Sequence, residues 1–261
     1  NIVSGTPFVP GILAGIHAAR RRGLTLPVVW NGSGYETVET VELLSSAVDV
    51  FLPDLKFLDE ELAGRLCAAP RYPEYAAAAI EKMLSYGPVR YDSDGMMRSG
   101  TIVRHLVLPG LLEKTRSVLR WCAQHGVGIT EAGGRTGGAC PGGSTPADGS
   151  REARAAAAAE SRESPARAER AAPAGLLSLM VQFGVPEGLE GWRRGVREIE
   201  NRPLGAAEYD YILNILDELG IDEGFLQEPG DEASWWPDFT RANPFPAGAA
   251  VPVWPVQPDP R

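Results

Sequence analysis

Two opposite charges, Asp54 and Lys56, end an apolar run of the sequence and are two residues apart. Side chains at positions i and i+2 of a β-strand share a face, so both would project from the strand's carboxyl end. In parallel α/β folds, ligands bind and chemistry occurs at that edge. We interpret Asp54 and Lys56 as a candidate catalytic pair. A Schiff-base lysine beside an acid, a metal site or a plain structural ion pair would use the same residues.

Polar residues also follow other predicted strands. Asn31, Gln182 and Gln227 each end an apolar run, and Arg104 lies within one. Such a repeated pattern is typical of an α/β barrel, or part of one, with its site at the carboxyl edge. A buried arginine on a strand needs an anionic partner, which could be a ligand carboxylate or Asp54.

The turn at 31–34 contains two glycines and Ser33, and could bring backbone N–H groups close to an anionic or polar ligand. An ordinary strand-to-helix turn explains it equally well. It is neither a dinucleotide-binding fingerprint nor a P-loop. His105 is expected to be a hydrogen-bonded core residue facing the helices.

Short apolar runs alternate with segments of helical period, which predicts βα units. The predicted strands are 2–3, 27–30, 49–55, 101–108, 176–183 and 224–228; the predicted helices are 10–22, 38–46, 60–67, one from 73, 111–125 and 206–219. Four regions follow: βα units at 1–128, a low-complexity insertion at 129–174, the last βα units at 175–228 and a Pro/Trp-rich irregular tail at 229–261. The insertion has almost no large apolar residue, so we expect it to be disordered.

Composition excludes several classes of partner. The net charge of the 261 residues is −9 and the pI about 5.0, which argues against nucleic-acid binding. No apolar run approaches the roughly 18 residues of a membrane span. Cys67, Cys122 and Cys140 are too sparse for a disulfide scaffold or a close metal site, and the first two are predicted as buried thiols. We expect a cytoplasmic protein.

Five segments, in this order, resemble radical S-adenosylmethionine (SAM) proteins, in the uncharacterised branch similar to pyruvate formate-lyase activating enzymes. They are SGTP at 4–7, VWNGSGY at 29–35, LPDLK at 52–56, VRHLVLPG at 103–110 and SLMVQF at 178–183. The late segments 224–228 and 237–245 fit as well, and the similarity covers about 1–126 and 176–246. The resemblance implies a partial (β/α)6 TIM-like barrel without its first strand. It also implies a 4Fe–4S cluster that cleaves SAM to a 5′-deoxyadenosyl radical, an electron donor of the flavodoxin or ferredoxin type, and a glycyl-radical-type protein substrate.

The resemblance also assigns residues. Ser4, Gly5 and Thr6 stand where a motif holds the SAM amino group, with Thr6 in place of an acid. Asn31 stands near SAM, Asp54 and Lys56 match a strand-end Asp-x-Lys close to SAM and a cation, and Arg104 matches an arginine of the SAM pocket. Ser33 and Gln182 complete the predicted cofactor-binding set.

The family's cluster motif, CxxxCxxC, does not occur in the sequence. We therefore predict no metal ligands here, and expect this chain alone to be unable to hold the cluster and to be inactive. Two other functions stay open. One is a non-catalytic barrel remnant or binding module, and the other is an unrelated α/β-barrel lyase or aldolase with Lys56 as the Schiff-base amine.

Overall fold

The computed structural model describes residues 1–130, 172–184 and 199–229. The strands are β1 (Ile2–Val3), β2 (Val29–Gly32), β3 (Val50–Pro53), β4 (Arg90–Tyr91), β5 (Met97–Leu106), β6 (Leu176–Met180) and β7 (Gly224–Leu226). The helices are α1 (Val9–Arg21), α2 (Val38–Leu44), α3 (Glu60–Cys67), α4 (Tyr72–Leu84), α5 (Leu112–Gln124) and α6 (Ala206–Leu219), and a short 3₁₀ turn covers Thr6–Phe8. The predicted insertion and tail lie almost entirely outside the described residues.

The strands form one mostly parallel sheet in the order β1-β2-β3-β5-β6-β7. Each pair on this path is parallel, whereas β4 pairs antiparallel with the start of β5. Apart from β4, strands adjacent in the sheet follow one another along the chain, as in an α/β barrel. The fold is therefore mixed α/β, and its strand order is consistent with part of a barrel.

The two faces of the sheet differ in burial. On β5, Thr101, Val103 and His105 are buried, whereas Ile102 and Arg104 on the other face are only partly so. Their in-register neighbours from Leu177 to Met180 follow the same alternation, because parallel pairing keeps paired residues on one face. The helices thus cover one face, and the predicted site residues Asp54 and Arg104 lie on the other.

The helix-covered face holds two apolar clusters. In one, Trp30 and Phe51 of β2 and β3 pack against α1, α2 and α4. In the other, Val103 and Leu179 of β5 and β6 pack against α3 to α6. Packing of these clusters fixes the strands relative to one another, and therefore the positions of the polar residues at their carboxyl ends.

Local signals set several boundaries as predicted. The Asp59 side chain accepts a hydrogen bond from Leu62 N at 2.7 Å and begins α3, and Gly220, in the left-handed conformation, ends α6. Strand β5 begins at Met97, before the predicted start, because β4 pairs with its first residues. The prediction of a buried Cys67 was wrong, since α3 ends there and leaves it exposed, whereas Cys122 is fully buried.

Candidate functional site

Asp54 sits between two cations at the carboxyl edge of the sheet. Its Oδ2 accepts a hydrogen bond from Lys56 Nζ, and its Oδ1 lies 2.6 Å from Arg104 Nη2. The side chains are 16% (Asp54), 37% (Lys56) and 23% (Arg104) exposed, so solvent screens these pairs only in part. The structure therefore brings together the two predicted catalytic residues and the predicted pocket arginine. One negative and two positive charges give this cluster a net charge of +1.

The backbone explains why these residues meet. Asp54 and Arg104 are partners in a parallel bridge, and Leu55 N donates to Arg104 O at 2.8 Å. On the other side, Asp54 N donates to Gly32 O at 3.1 Å. Residues 54–55 thus extend the pairing of β3 beyond its last strand residue. Lys56 lies two residues after Asp54 and on the same side, as the sequence predicts.

Tyr72, at the start of α4, joins the ends of β2 and β3. Its hydroxyl lies 2.9 Å from Ser33 O and 2.7 Å from Asp54 O, and it accepts a hydrogen bond from Lys56 N at 3.0 Å. Burial raises the pKa of Tyr72, so the phenol stays protonated and keeps its donor. This hydroxyl fixes the backbone on both sides of the Asp54 side chain.

Gly34 brings the β2–α2 turn against the same backbone. Its φ is +78°, and a Cβ atom there would overlap the Asp54 carbonyl oxygen. Glycine is the residue that meets both demands without strain. The turn at 31–34 is therefore a close-packed part of the sheet edge.

A cavity of about 280 Å³ opens beside the charged cluster. Its lining combines the cluster with one amide and two apolar side chains: Asp54, Lys56, Arg104, Leu106, Met180 and Gln182. Gln182 is exposed, and its Oε1 accepts a hydrogen bond from Gln227 Nε2 at 3.0 Å, while Gln227 Oε1 accepts one from Val181 N. Gln227 thus orients the predicted cofactor-binding amide.

The other predicted cofactor residues lie near this edge but do not line the cavity. Ser4 has φ +53° and donates from its backbone N to Asn31 O at 3.0 Å. A Cβ on Gly5 would lie 2.7 Å from the Trp30 ring. Ser33 is exposed, and its hydroxyl oxygen accepts a hydrogen bond from a backbone N–H of its own turn. These residues form a second group, around the ends of β1 and β2.

Glu36 is a buried acid that links this second group. Its Oε1 accepts hydrogen bonds from Thr6 Oγ1 at 3.0 Å and from Trp30 Nε1 at 3.4 Å. Burial is the largest influence on the pKa of Glu36 and raises it, the two hydrogen bonds lower it, and the Asp54 charge raises it further. Thr6, predicted to contact a cofactor, therefore contacts a carboxylate of its own chain.

His105 is the core residue that the sequence predicts. Its Nδ1 lies 2.8 Å from Leu55 O and its Nε2 lies 3.0 Å from Thr115 Oγ1. Burial lowers the pKa of His105 to about 4, which keeps the ring neutral near pH 7. Nδ1 then donates to the carbonyl group and Nε2 accepts from the hydroxyl group.

The described ranges contain no group of three or more His, Cys, Asp or Glu side chains placed to hold a metal ion. They also contain no helix long and apolar enough to cross a bilayer. In these ranges the polar site consists of the charged cluster with its cavity and the Thr6–Glu36 group beside it.

Two residues of the site were missed by the sequence prediction. Tyr72 was assigned no role and stood just before the helix predicted to begin at residue 73, and its contacts lie 16 to 39 residues away. Glu36 follows the glycine-containing turn at 31–34 by two residues, so the sequence alone could have indicated an acid near the carboxyl edge of the sheet. No local pattern, however, predicts that its partner is Thr6, 30 residues earlier.

Comparisons with known proteins give one distant similarity. No family model and no solved structure match the chain. The chain is 31% identical over 113 residues to Uncharacterized protein MJ0674 of Methanocaldococcus jannaschii. The matched stretch is 43% of this chain and 29% of the archaeal protein, so the chain covers less than a third of that relative's length. The chain is thus similar to part of an archaeal protein whose printed name assigns no activity.

Proposed function

We propose that this chain is the SAM-binding part of a radical SAM protein, of the kind that resembles pyruvate formate-lyase activating enzymes. The observation that carries the proposal is the cluster of Asp54, Lys56 and Arg104 beside a cavity at the carboxyl edge of a mostly parallel sheet. SAM carries a carboxylate, an ammonium and a sulfonium group. A site for it needs cations and anions close together, as this cluster supplies.

The residues present fit one end of SAM. Arg104 Nε is buried and has no hydrogen-bond partner in the described part of the chain, so a donor is available for a ligand carboxylate. The net charge of +1 favours an anionic group at this place. The cavity, at about 280 Å³, is just below the roughly 300–1,000 Å³ of ligand pockets, so the rest of SAM would lie over the open face of the sheet.

Each residue then has a definite task. Arg104 and Lys56 bind the carboxylate, and Asp54 holds both cations in place and accepts from a cationic group of the ligand. Tyr72 keeps the Asp54 backbone fixed against β2, and Gln182 contacts the ligand from two residues beyond the end of β6. The apolar side chains of Leu106 and Met180 restrict water on the remaining sides. SAM would supply a 5′-deoxyadenosyl radical for hydrogen abstraction once one electron from a donor outside the described residues had cleaved it to methionine and that radical.

A 4Fe–4S cluster does not fit the described residues, since they hold no metal-ligand group. We assign it no ligand here and derive no step through it. As parts of the same proposal, the sheet belongs to a partial (β/α)6 barrel, the electron donor is of the flavodoxin or ferredoxin type, and the substrate is a glycyl-radical-type protein.

The aldolase alternative has less support. Schiff-base formation needs a lysine whose unprotonated amine is free to attack a carbonyl carbon. Here Lys56 is paired with Asp54. Borohydride reduction with a carbonyl substrate, followed by mass spectrometry of the Lys56 peptide, separates the two functions, because only a Schiff base leaves a covalent adduct.

Calorimetric titration of the purified full chain with SAM tests the proposal. We expect Arg104→Gln to weaken SAM binding about tenfold or more, as the loss of a charge-assisted hydrogen bond does. Arg98→Gln is the matched control, because Arg98 lies on the same strand but pairs with Asp92, away from the cavity. Absence of SAM binding by the wild-type chain at millimolar concentration would refute the proposal, as would equal binding by the Arg104 and Arg98 variants.

A further inference from the structure

The Glu36 carboxylate has one satisfied and one unsatisfied oxygen. Oε1 receives both hydrogen bonds, from Thr6 and from Trp30, whereas Oε2 is buried and has no partner in the described residues. The residue is only 3% exposed. A buried carboxylate oxygen without a donor is costly, so it calls for a specific explanation.

No cation among the described residues is paired with Glu36. The charged group that acts on it is Asp54, which has the same sign and raises the pKa of Glu36 together with burial. The two donors on Oε1 are a neutral hydroxyl and an indole N–H. The described residues thus bury a carboxyl group with both hydrogen-bond donors on one oxygen and no positive charge beside it.

The chain nevertheless makes room for this acid. A Cβ on Gly32 would lie 2.7 Å from Glu36 Oε1, so glycine at 32 leaves space for the carboxylate. Gly32 O accepts the hydrogen bond of Asp54 N, which ties this position to the backbone of the charged cluster. Glu36 therefore lies at the carboxyl end of β2, on the same side as Trp30, and the charge of Asp54 reaches it and raises its pKa.

We propose that Glu36 is a ligand-binding residue whose Oε2 accepts a hydrogen bond from an ammonium group of the bound ligand. An ammonium supplies both the missing donor and the missing positive charge. The inference rests on the proposed function, in which the ligand is SAM and its amino group is the donor. Arg104 and Glu36 would then bind opposite charges of one amino-acid moiety.

Outside the charged cluster, two buried polar atoms of the described residues lack hydrogen-bond partners: Glu36 Oε2 and Thr101 Oγ1. Thr101 Oγ1 lies on the helix-covered face of β5, and its hydroxyl carries no charge. Glu36 Oε2 alone of the two belongs to an ionisable group at the carboxyl edge of the sheet. It therefore points to a charged ligand group.

The test compares two ligands on the full chain by calorimetry: SAM, and its deaminated 2-oxo analogue, which keeps the carboxylate and the sulfonium. We expect Glu36→Gln to weaken SAM binding about ten- to hundredfold and to leave the affinity for the 2-oxo analogue unchanged. Glu39→Gln is the control, since Glu39 is an exposed acid of the neighbouring helix α2 and should change neither affinity.

The outcomes separate the inference from the proposed function. If wild-type chain binds neither ligand, the proposed function fails and this inference with it. If wild-type chain binds SAM but Glu36→Gln binds it equally well, or loses affinity for both ligands to the same extent, Glu36 has only a structural role. Thermal unfolding of the ligand-free variant gives a second readout. Replacement of a buried acid whose second oxygen has no partner should leave the melting temperature unchanged or raise it, whereas a structural role would lower it.

Discussion

Asp54→Asn tests whether the charged cluster is held together as described. The change removes one carboxylate that contacts two cations, and leaves Lys56 and Arg104 close together without an anion between them. Exposed ion pairs contribute ~0.2–1 kcal/mol each, whereas breaking a fully buried pair costs ~3–5 kcal/mol. The side chains here are 16–37% exposed, which places the expected loss between these limits, at about 2 kcal/mol.

Urea unfolding followed by circular dichroism measures this loss. The midpoint should fall with no change of the m-value, and the melting temperature should fall by about 4–8 °C, given ~2–4 °C per kcal/mol for a chain of this size. Glu74→Gln is the control, because Glu74 of helix α4 forms an exposed pair with Arg71, the residue before the helix, and it should cost less than about 0.5 kcal/mol. Equal losses for the two variants would refute the reasoning, since Asp54 would then behave as an ordinary surface acid.

Three further predictions concern the elements around the cluster. Tyr72→Phe leaves two carbonyl groups and one N–H without their shared partner, and should cost about 1–3 kcal/mol of the free energy of unfolding, measured with urea. Gly34→Ala should lower the free energy of unfolding by more than about 2 kcal/mol, because φ is +78° and the methyl group would overlap the Asp54 carbonyl oxygen. Gly15→Ala is its control: no atom lies within 4 Å of the added methyl group, and the change should stabilise α1 by ~0.5–1 kcal/mol. Folding lowers the pKa of His105 from 6.5 to about 4. As the pH falls, the histidine therefore binds a proton in the unfolded chain before it does so in the folded chain. The free energy of unfolding should decrease between pH 6.5 and pH 4 by up to ~1.4 kcal/mol per pH unit. His105→Gln should remove this part of the slope, and an unchanged slope would show that the histidine protonates equally in both states.

The sequence predicts the elements well where local chemistry determines them. Asp59 and Gly220 fix helix ends through a side-chain acceptor and a left-handed backbone, both properties of single residues. The apolar runs predict the main strands because the buried face of β5 alternates with a partly exposed one. Strand β4 is two residues long, too short for any periodicity, and exists because of its pairing with β5.

The candidate site could be predicted only in part, again because local patterns do not contain contacts between distant residues. The spacing of Asp54 and Lys56 predicts that they lie on the same side, and the need of a buried strand arginine for an anion makes Asp54 one of two possible partners of Arg104. The exact pairing of Asp54 with Arg104 depends on the register between β3 and β5, which no local pattern contains. Tyr72 and Glu36 act on residues far along the chain, so only the folded arrangement identifies their roles.

The placement of SAM at this edge is the central claim, and hydrogen–deuterium exchange of the full chain with and without saturating SAM tests it most directly. We expect SAM to slow exchange of the amide groups of residues 52–57, 103–106 and 180–182, the stretches that contain the six cavity-lining residues, and to leave helix α5 unchanged. The same protection should be lost in Arg104→Gln. Protection elsewhere, with these three stretches unaffected, would contradict the account.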